Sequence, residues 1–196
     1  MNKGRIEAFT DAIVPIIVTI MVLEFKVPES ADITGLLHEG PYLISYMVGF
    51  LFIGVAWFNH HYMFELVKKL NLKIYWLNNL WLFTMSLIPV SAAWLGRFPT
   101  QVAPAYFYLI IFAAWTIAYY GISQALLAEI IQEQTGREHY LQSMFIYGLL
   151  KSPIFGLINI LVFIAVYFWP PIGIIFTAIE LTVVACSISK YDFNIQ

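Results

Sequence analysis

The residues of this sequence that are hardest to explain as packing lie in its opening apolar stretch, where Arg5, Glu7, Phe9, Thr10 and Asp11 enter a run otherwise suited to hydrocarbon. Ionisable groups inside a membrane are costly. They normally face protein or a water-filled cavity and mark functional paths. Arg5 and Asp11 are six residues apart, about 9 Å along a helix and on different faces. Each is therefore expected to find its partner on another helix. Pro15 has no N–H, so the carbonyl of Asp11 loses its helical partner and the turn opens. Either a neighbouring helix closes that kink, or the freed carbonyl faces water and hydrated ions.

Two further groups could do chemistry. Asn59, His60 and His61 close the second apolar stretch, where histidine suits a metal site or a proton relay. A metal site needs three or four ligands, and His38, His60, His61 and His139 have no recognisable ligand spacing. No metal is expected. The expected role is structural: one of these histidines, with Asn78 or Asn79, hydrogen-bonds the Arg5–Asp11 region and holds the first helix. Glu180 stands in the middle of the last apolar stretch. It is either a proton-coupled group or a neutral acid bonded to a polar neighbour. No nucleophile turn or catalytic triad accompanies the Ser and His residues, so an enzyme is not expected, nor a cofactor.

The elements that position these groups follow from composition. Of 196 residues, 61% are hydrophobic and 11% charged, and the mean hydropathy is +0.78. A soluble domain averages about 45–50% apolar and roughly 25% charged. The excess must face lipid. The chain reads as a single all-α membrane domain, residues 1–196, retained in the mature protein because the first stretch lacks a small-residue cleavage pattern. A net charge of −2 argues against nucleic acid, and the single cysteine, Cys186, rules out a disulfide framework.

A crossing takes about 20 apolar residues. Six stretches qualify: Ile6–Phe25, Tyr42–Phe64, Ile74–Trp94, Ala103–Ile130, Met144–Phe168 and Ile172–Ser189. Breaks are expected at Pro28–Pro41, Lys68–Lys73, Arg97–Thr100, Gln132–His139 and Pro170-Pro171. Six crossings put Lys3, Arg5, Lys68, Lys69, Lys73, Arg137, Lys151 and Lys190 on the side of both termini, against Lys26 and Arg97 on the other. Both termini are therefore expected in the cytoplasm of a cell-membrane protein. Trp57, Trp76, Trp94, Trp115 and Trp169 read as interfacial anchors. Ser86, Pro89 and Ser91 read as a kink in the third stretch.

Along the first helix Ile16, Thr19, Ile20 and Leu23 recur at i, i+3, i+4 and i+7, and the stripe extends back to Ala12, Phe9 and Arg5. Such a stripe serves either helix packing or the lining of a pore between several copies, where branched side chains obstruct water. The spacing does not choose between them.

Arg5-x-x-x-Phe9-Thr10-Asp11, followed by a branched-aliphatic helix ending Val22-Leu23-Glu24-Phe25-Lys26-Val27-Pro28, resembles the Arg-x-x-x-Phe-Ser-Asp signature of the prokaryotic transmembrane protein 175 family. Trp57-Phe58-Asn59-His60-His61 is similar to that family's Trp-x-Asn-His-His segment. The resemblance implies a potassium-permeable channel, a homotetramer whose pore is lined by the first helix of each six-helix subunit. It implies a constriction at Ile16 with Ile20 and Leu23 on the same stripe, and Thr19 as a hydroxyl layer tied to selectivity. Arg5, Phe9, Thr10, Asp11, Asn59, His60, His61 and Asn78 would position that helix. Pro15 departs from the small or hydroxylated residue expected beside the constriction. The alternative is a proton-coupled secondary transporter using Asp11 and Glu180, although no internal repeat is visible.

Overall fold

The computed structural model describes residues 2–24, 27–28 and 30–188. Phe25, Lys26 and Lys190, used in the readings above, and Ser189, the expected end of the last span, lie outside the described residues. Among the described residues the chain is helical throughout, with no strand.

The first helix, α1 (Lys3–Leu23), runs unbroken through Pro15. A short helix, α2 (Ile33–His38), occupies part of the Pro28–Pro41 break. Pro41 then falls in the first turn of α3 (Gly40–Glu65), where its missing N–H is needed by no helical carbonyl. Asn71 caps α4 (Leu72–Ser86) by accepting from the backbone N–H of Ile74 at 2.9 Å. The helical path turns at Leu87 into α5 (Ile88–Arg97), with Pro89 in its first turn. Together α4 and α5 make one kinked span, Leu72–Arg97. The long α6 (Val102–Glu133) ends where Gln134 takes the left-handed conformation at φ 51°. A short α7 (Glu138–Ser143) leads to α8 (Phe145–Lys151), α9 (Pro153–Phe168) and α10 (Ile172–Ser187).

Where Met144–Phe168 was expected as one straight span, the chain bends by 71° between α8 and α9. The reason is local. Pro153 cannot donate to Leu149 and pushes Ser152 into extended backbone. Among the described residues four helical units are long and apolar enough to cross a membrane, or five if the bent pair counts as one span. The apolar α10 has 16 residues.

The subunit core forms where α4 and α5 lie against α6 and α3. Trp81, Tyr108, Tyr119, Phe64 and Met85 are fully buried there. Gly96 permits the close approach of α5 to the first turn of α3, because a Cβ there would lie 2.8 Å from the Tyr42 Cα. The outer surface is greasy. Ile154, Leu157, Ile160, Leu161 and Ile164 all face outward from α9, an exposure that only a lipid solvent makes favourable. Trp76, Trp94 and Trp169 are exposed, but Trp115 is buried mid-helix in α6, packed edge-on to Phe52 and stacked on Tyr119. It is a core residue, not an interfacial anchor.

Candidate functional site

Helix α1 has two unlike faces. Ile6, Thr10, Val14, Ile17 and Met21 are each 5% exposed or less, and they recur at steps of three and four residues as one face of a helix must. They pack against α3, α4 and α5. On the opposite face Phe9, Ile16, Ile20 and Leu23 are 48%, 56%, 43% and 79% exposed. Ala12, Pro15 and Thr19 are exposed with them. Among the described residues nothing covers this stripe.

Polar contacts fix the buried face in place. Asn78 on α4 donates from Nδ2 to Thr10 Oγ1 at 2.9 Å. Its Oδ1 is then the acceptor for His60 Nε2 at 2.7 Å, which assigns the His60 proton to Nε2. The His60 ring lies nearly parallel to Trp81, 4.3 Å away, and stacks on Phe64 at 4.1 Å. Thr10, His60 and Asn78 are all buried. Three helices thus share one hydrogen-bonded chain, in a setting where a lost partner cannot be replaced by water.

Asp11 accepts from the indole Nε1 of Trp57 on α3 at 2.8 Å. Sequence reasoning took Trp57 for an anchor and missed this pairing, since nothing local links residues 46 positions apart. At the far end Arg97 approaches Glu24, its guanidinium 3.4 Å from the backbone carbonyl and 3.9 Å from the carboxylate. That pair is half-exposed and contributes little on its own. It does tie the end of α1 to α5.

The expected partners of Arg5 and Asp11 divide differently from the sequence reading. Asp11 has a partner on another helix; Arg5 is exposed and has no hydrogen bond or ion pair among the described residues. It stands beside Phe9 and Tyr75 in an open recess at the start of α1. The His60–Asn78 pair meets Thr10, the residue between the two. His61 instead turns outward to Glu65 at 3.2 Å and stacks on Trp57. Asn59 and Asn79 donate to carbonyls of their own helices, Val55 and Tyr75. The Thr19 hydroxyl donates to the Ile16 carbonyl at 2.8 Å, leaving its oxygen as an acceptor on the exposed face. Among the described residues no group of three His, Cys, Asp or Glu side chains could hold a metal ion.

Glu180 lies in a cleft with Phe52, Thr116, Asn159 and Thr177, and shares a small cavity with Asn59 and Trp115. It shares no hydrogen bond or ion pair with Asp11.

Residues 5–89 match the family model described as endosomal/lysosomal potassium channel TMEM175. All the α1 residues above, together with Trp57, Asn59, His60, His61 and Asn78, fall inside that segment. A protein named potassium channel from Chryseobacterium sp. (strain P1-3) is 46% identical over 49% of this chain and 50% of its own length. Another of that name, from Streptomyces collinus (strain DSM 40733 / Tue 365), is 34% identical over 58% of this chain and 60% of its own. The matched region thus spans about half to three fifths of those relatives. The crystal structure of a lysosomal potassium-selective channel TMEM175 homolog from Chamaesiphon minutus superposes with a TM-score of 0.77, covering 94% of this chain and 96% of that one at 23% identity.

Proposed function

We propose that this chain is a member of the TMEM175 family and conducts potassium passively through an axial pore in a homotetramer, lined by α1 of each subunit. The observation that carries the reading is the division of α1 into a face held by α3–α5 and an apolar face that the described residues leave uncovered. A lipid-facing helix has no need of the polar ties at Thr10 and Asp11. A helix that must hold its orientation against an axis does.

In this arrangement the Ile16, Ile20 and Leu23 side chains of four copies form three rings over about 10 Å of the axis. Branched aliphatic rings offer no oxygen ligands. Passage then depends on the pore radius and on the cost of stripping water, and a ring drawn tight excludes water and ions together. Thr19 lies between the rings, and the free lone pairs of its hydroxyl offer partial replacement for lost hydration. Lys3, Arg5, Lys68, Lys69, Lys73, Arg137 and Lys151 support, under the positive-inside rule, a reading with both termini in the cytoplasm of a cell-membrane protein in which α10 makes the sixth crossing.

Reconstitution in liposomes tests the reading. Ile16→Asn and Ile16→Ala should raise basal potassium flux and weaken the preference for potassium over sodium. Thr19→Ala should alter ion preference more than protein yield. Flux indifferent to all three substitutions would remove α1 from the conduction path. Saturable flux driven by a proton gradient, and lost in Asp11→Asn or Glu180→Gln, would favour the transporter alternative.

A further inference from the structure

A second polar locus lies where α6, α9 and α10 meet. Glu180, Thr177, Thr116 and Asn159 converge on one chamber of about 70 Å³ whose remaining lining is apolar, Phe52 and Phe163 among it. Each neutral member has already given a proton to its own helix. Thr116 Oγ1 donates to the Phe112 carbonyl at 2.8 Å, Thr177 Oγ1 to Gly173 at 3.0 Å, and Asn159 Nδ2 to Phe155 at 2.9 Å. Each still presents an acceptor oxygen, and Asn159 keeps one further N–H. Beside them is a carboxyl group, and among the described residues no lysine, arginine or histidine forms an ion pair with it. A carboxylate at membrane depth calls for a cation, and three neutral acceptors call for N–H donors.

The chamber has an entrance. Thr116 and Asn159 also line a crevice of about 280 Å³ between α6 and α9, walled by Ile117, Tyr120, Phe155 and Gly156. Ile117, one of its walls, is 72% exposed and most of the lining is apolar, so the crevice opens towards hydrocarbon in a membrane-spanning chain. On the inner side, Trp115 and Glu180 share a smaller cavity of about 20 Å³. The Trp115 indole N–H is buried and has no hydrogen-bond partner among the described residues. That space suffices for one water between the two.

We propose that this cleft binds a lipophilic primary amine entering from the bilayer, its ammonium paired with Glu180 and hydrogen-bonded to Thr116, Asn159 and Thr177, its alkyl chain lying in the crevice. An ammonium supplies three donors and one positive charge, which is what the chamber lacks. The apolar approach favours an amine with a tail over a hydrated inorganic ion, which would have to shed its water in hydrocarbon. The site is separate from α1 and does not rest on the conduction reading.

The test uses the full chain in phosphatidylcholine nanodiscs, with thermal unfolding followed by tryptophan fluorescence. Dodecylamine is the probe, dodecanol the uncharged control, and potassium or sodium chloride alone the inorganic arm. Dodecylamine should raise the unfolding temperature saturably, and dodecanol should not. Glu180→Gln should weaken the apparent affinity roughly thirtyfold or more, as loss of one partner of a buried charge pair does. Gly156→Leu fills the crevice at a position where a Cβ meets nothing within 4 Å, and should weaken binding without touching the carboxyl group. It decides the matter if Glu180→Gln fails to fold. Equal shifts from dodecanol, or a wild-type response in both variants, would overturn the proposal. A saturable shift from either salt alone, lost in Glu180→Gln, would overturn it in favour of an alkali-ion site. Potassium flux is read in none of these arms, so the outcome is independent of the conduction reading.

Discussion

Replacing Asn78 with leucine should unseat α1 more than any other single polar change in the subunit. Asn78 is fully buried and makes two inter-helical bonds, giving a proton to Thr10 at 2.9 Å and taking one from His60 at 2.7 Å. Leucine nearly preserves the volume, so the loss is polar. Inter-helical hydrogen bonds in membrane proteins average about 0.6 kcal/mol and reach about 1.7 kcal/mol. Two of them give a cost between about 1 and 3.5 kcal/mol. The upper half of that range is expected, because the stranded His60 N–H lies between aromatic rings with no water to take over. Thr10→Val breaks only the first bond and should cost about 0.6–1.7 kcal/mol. The double variant should then be less destabilised than the sum by a similar amount. Asn79→Leu is the control, since Asn79 bonds only to the Tyr75 carbonyl of its own helix. Reversible unfolding in mixed micelles measures all four variants. Additivity within about 0.3–0.5 kcal/mol would show that Thr10 and Asn78 do not act as one unit. A cost for Asn79→Leu equal to that of Asn78→Leu would lead to the same conclusion.

Trp57→Phe removes the donor to Asp11 and should destabilise by about 1 kcal/mol. Its effect should shrink when Asp11→Asn is already present, as a double-mutant cycle in the same micelles would record. Gly96→Ala places a methyl group 2.8 Å from the Tyr42 Cα, which is backbone and cannot swing aside; overpacking of this kind costs about 1–3 kcal/mol, read as a lowered unfolding midpoint. Ile16→Ala should increase potassium flux with little loss of subunit stability, because Ile16 is 56% exposed and has little packing there to lose.

Helix positions were legible because hydrocarbon thickness imposes a run length that composition cannot hide. The bend before Pro153 was legible in principle and was passed over, since the flanking Phe145–Lys151 and Pro153–Phe168 are apolar enough to read as one run. In α1 the period of 3.6 sorted Ile16, Ile20 and Leu23 from Ile17 and Met21, but it could not say which set faced the subunit. The packing of α3, α4 and α5 decides that. Trp57 escaped notice for a related reason. An indole at a helix end and an indole bonded to a carboxylate 46 residues away look alike in one dimension. His60 and Asn78 lie closer in sequence and on consecutive apolar stretches, so their meeting was easier to anticipate than the choice of Thr10 over Arg5 or Asp11 as the third member. Trp115 was misread because residue type alone made it an anchor, although it stands more than three turns inside α6 (Val102–Glu133).

Cadmium block of a cysteine ring asks most directly whether the uncovered face of α1 surrounds an axis. With the exposed Cys186 first replaced by alanine, Ile16→Cys places one thiol per subunit on the bare stripe and Ile17→Cys places one on the packed face. Thiolates are soft ligands that bind such a metal tightly when several converge. Micromolar cadmium should abolish potassium flux through Ile16→Cys, reversibly on chelation, and leave Ile17→Cys conducting. Undiminished flux through Ile16→Cys, with its thiol shown to be free, would place that face against lipid and contradict the pore.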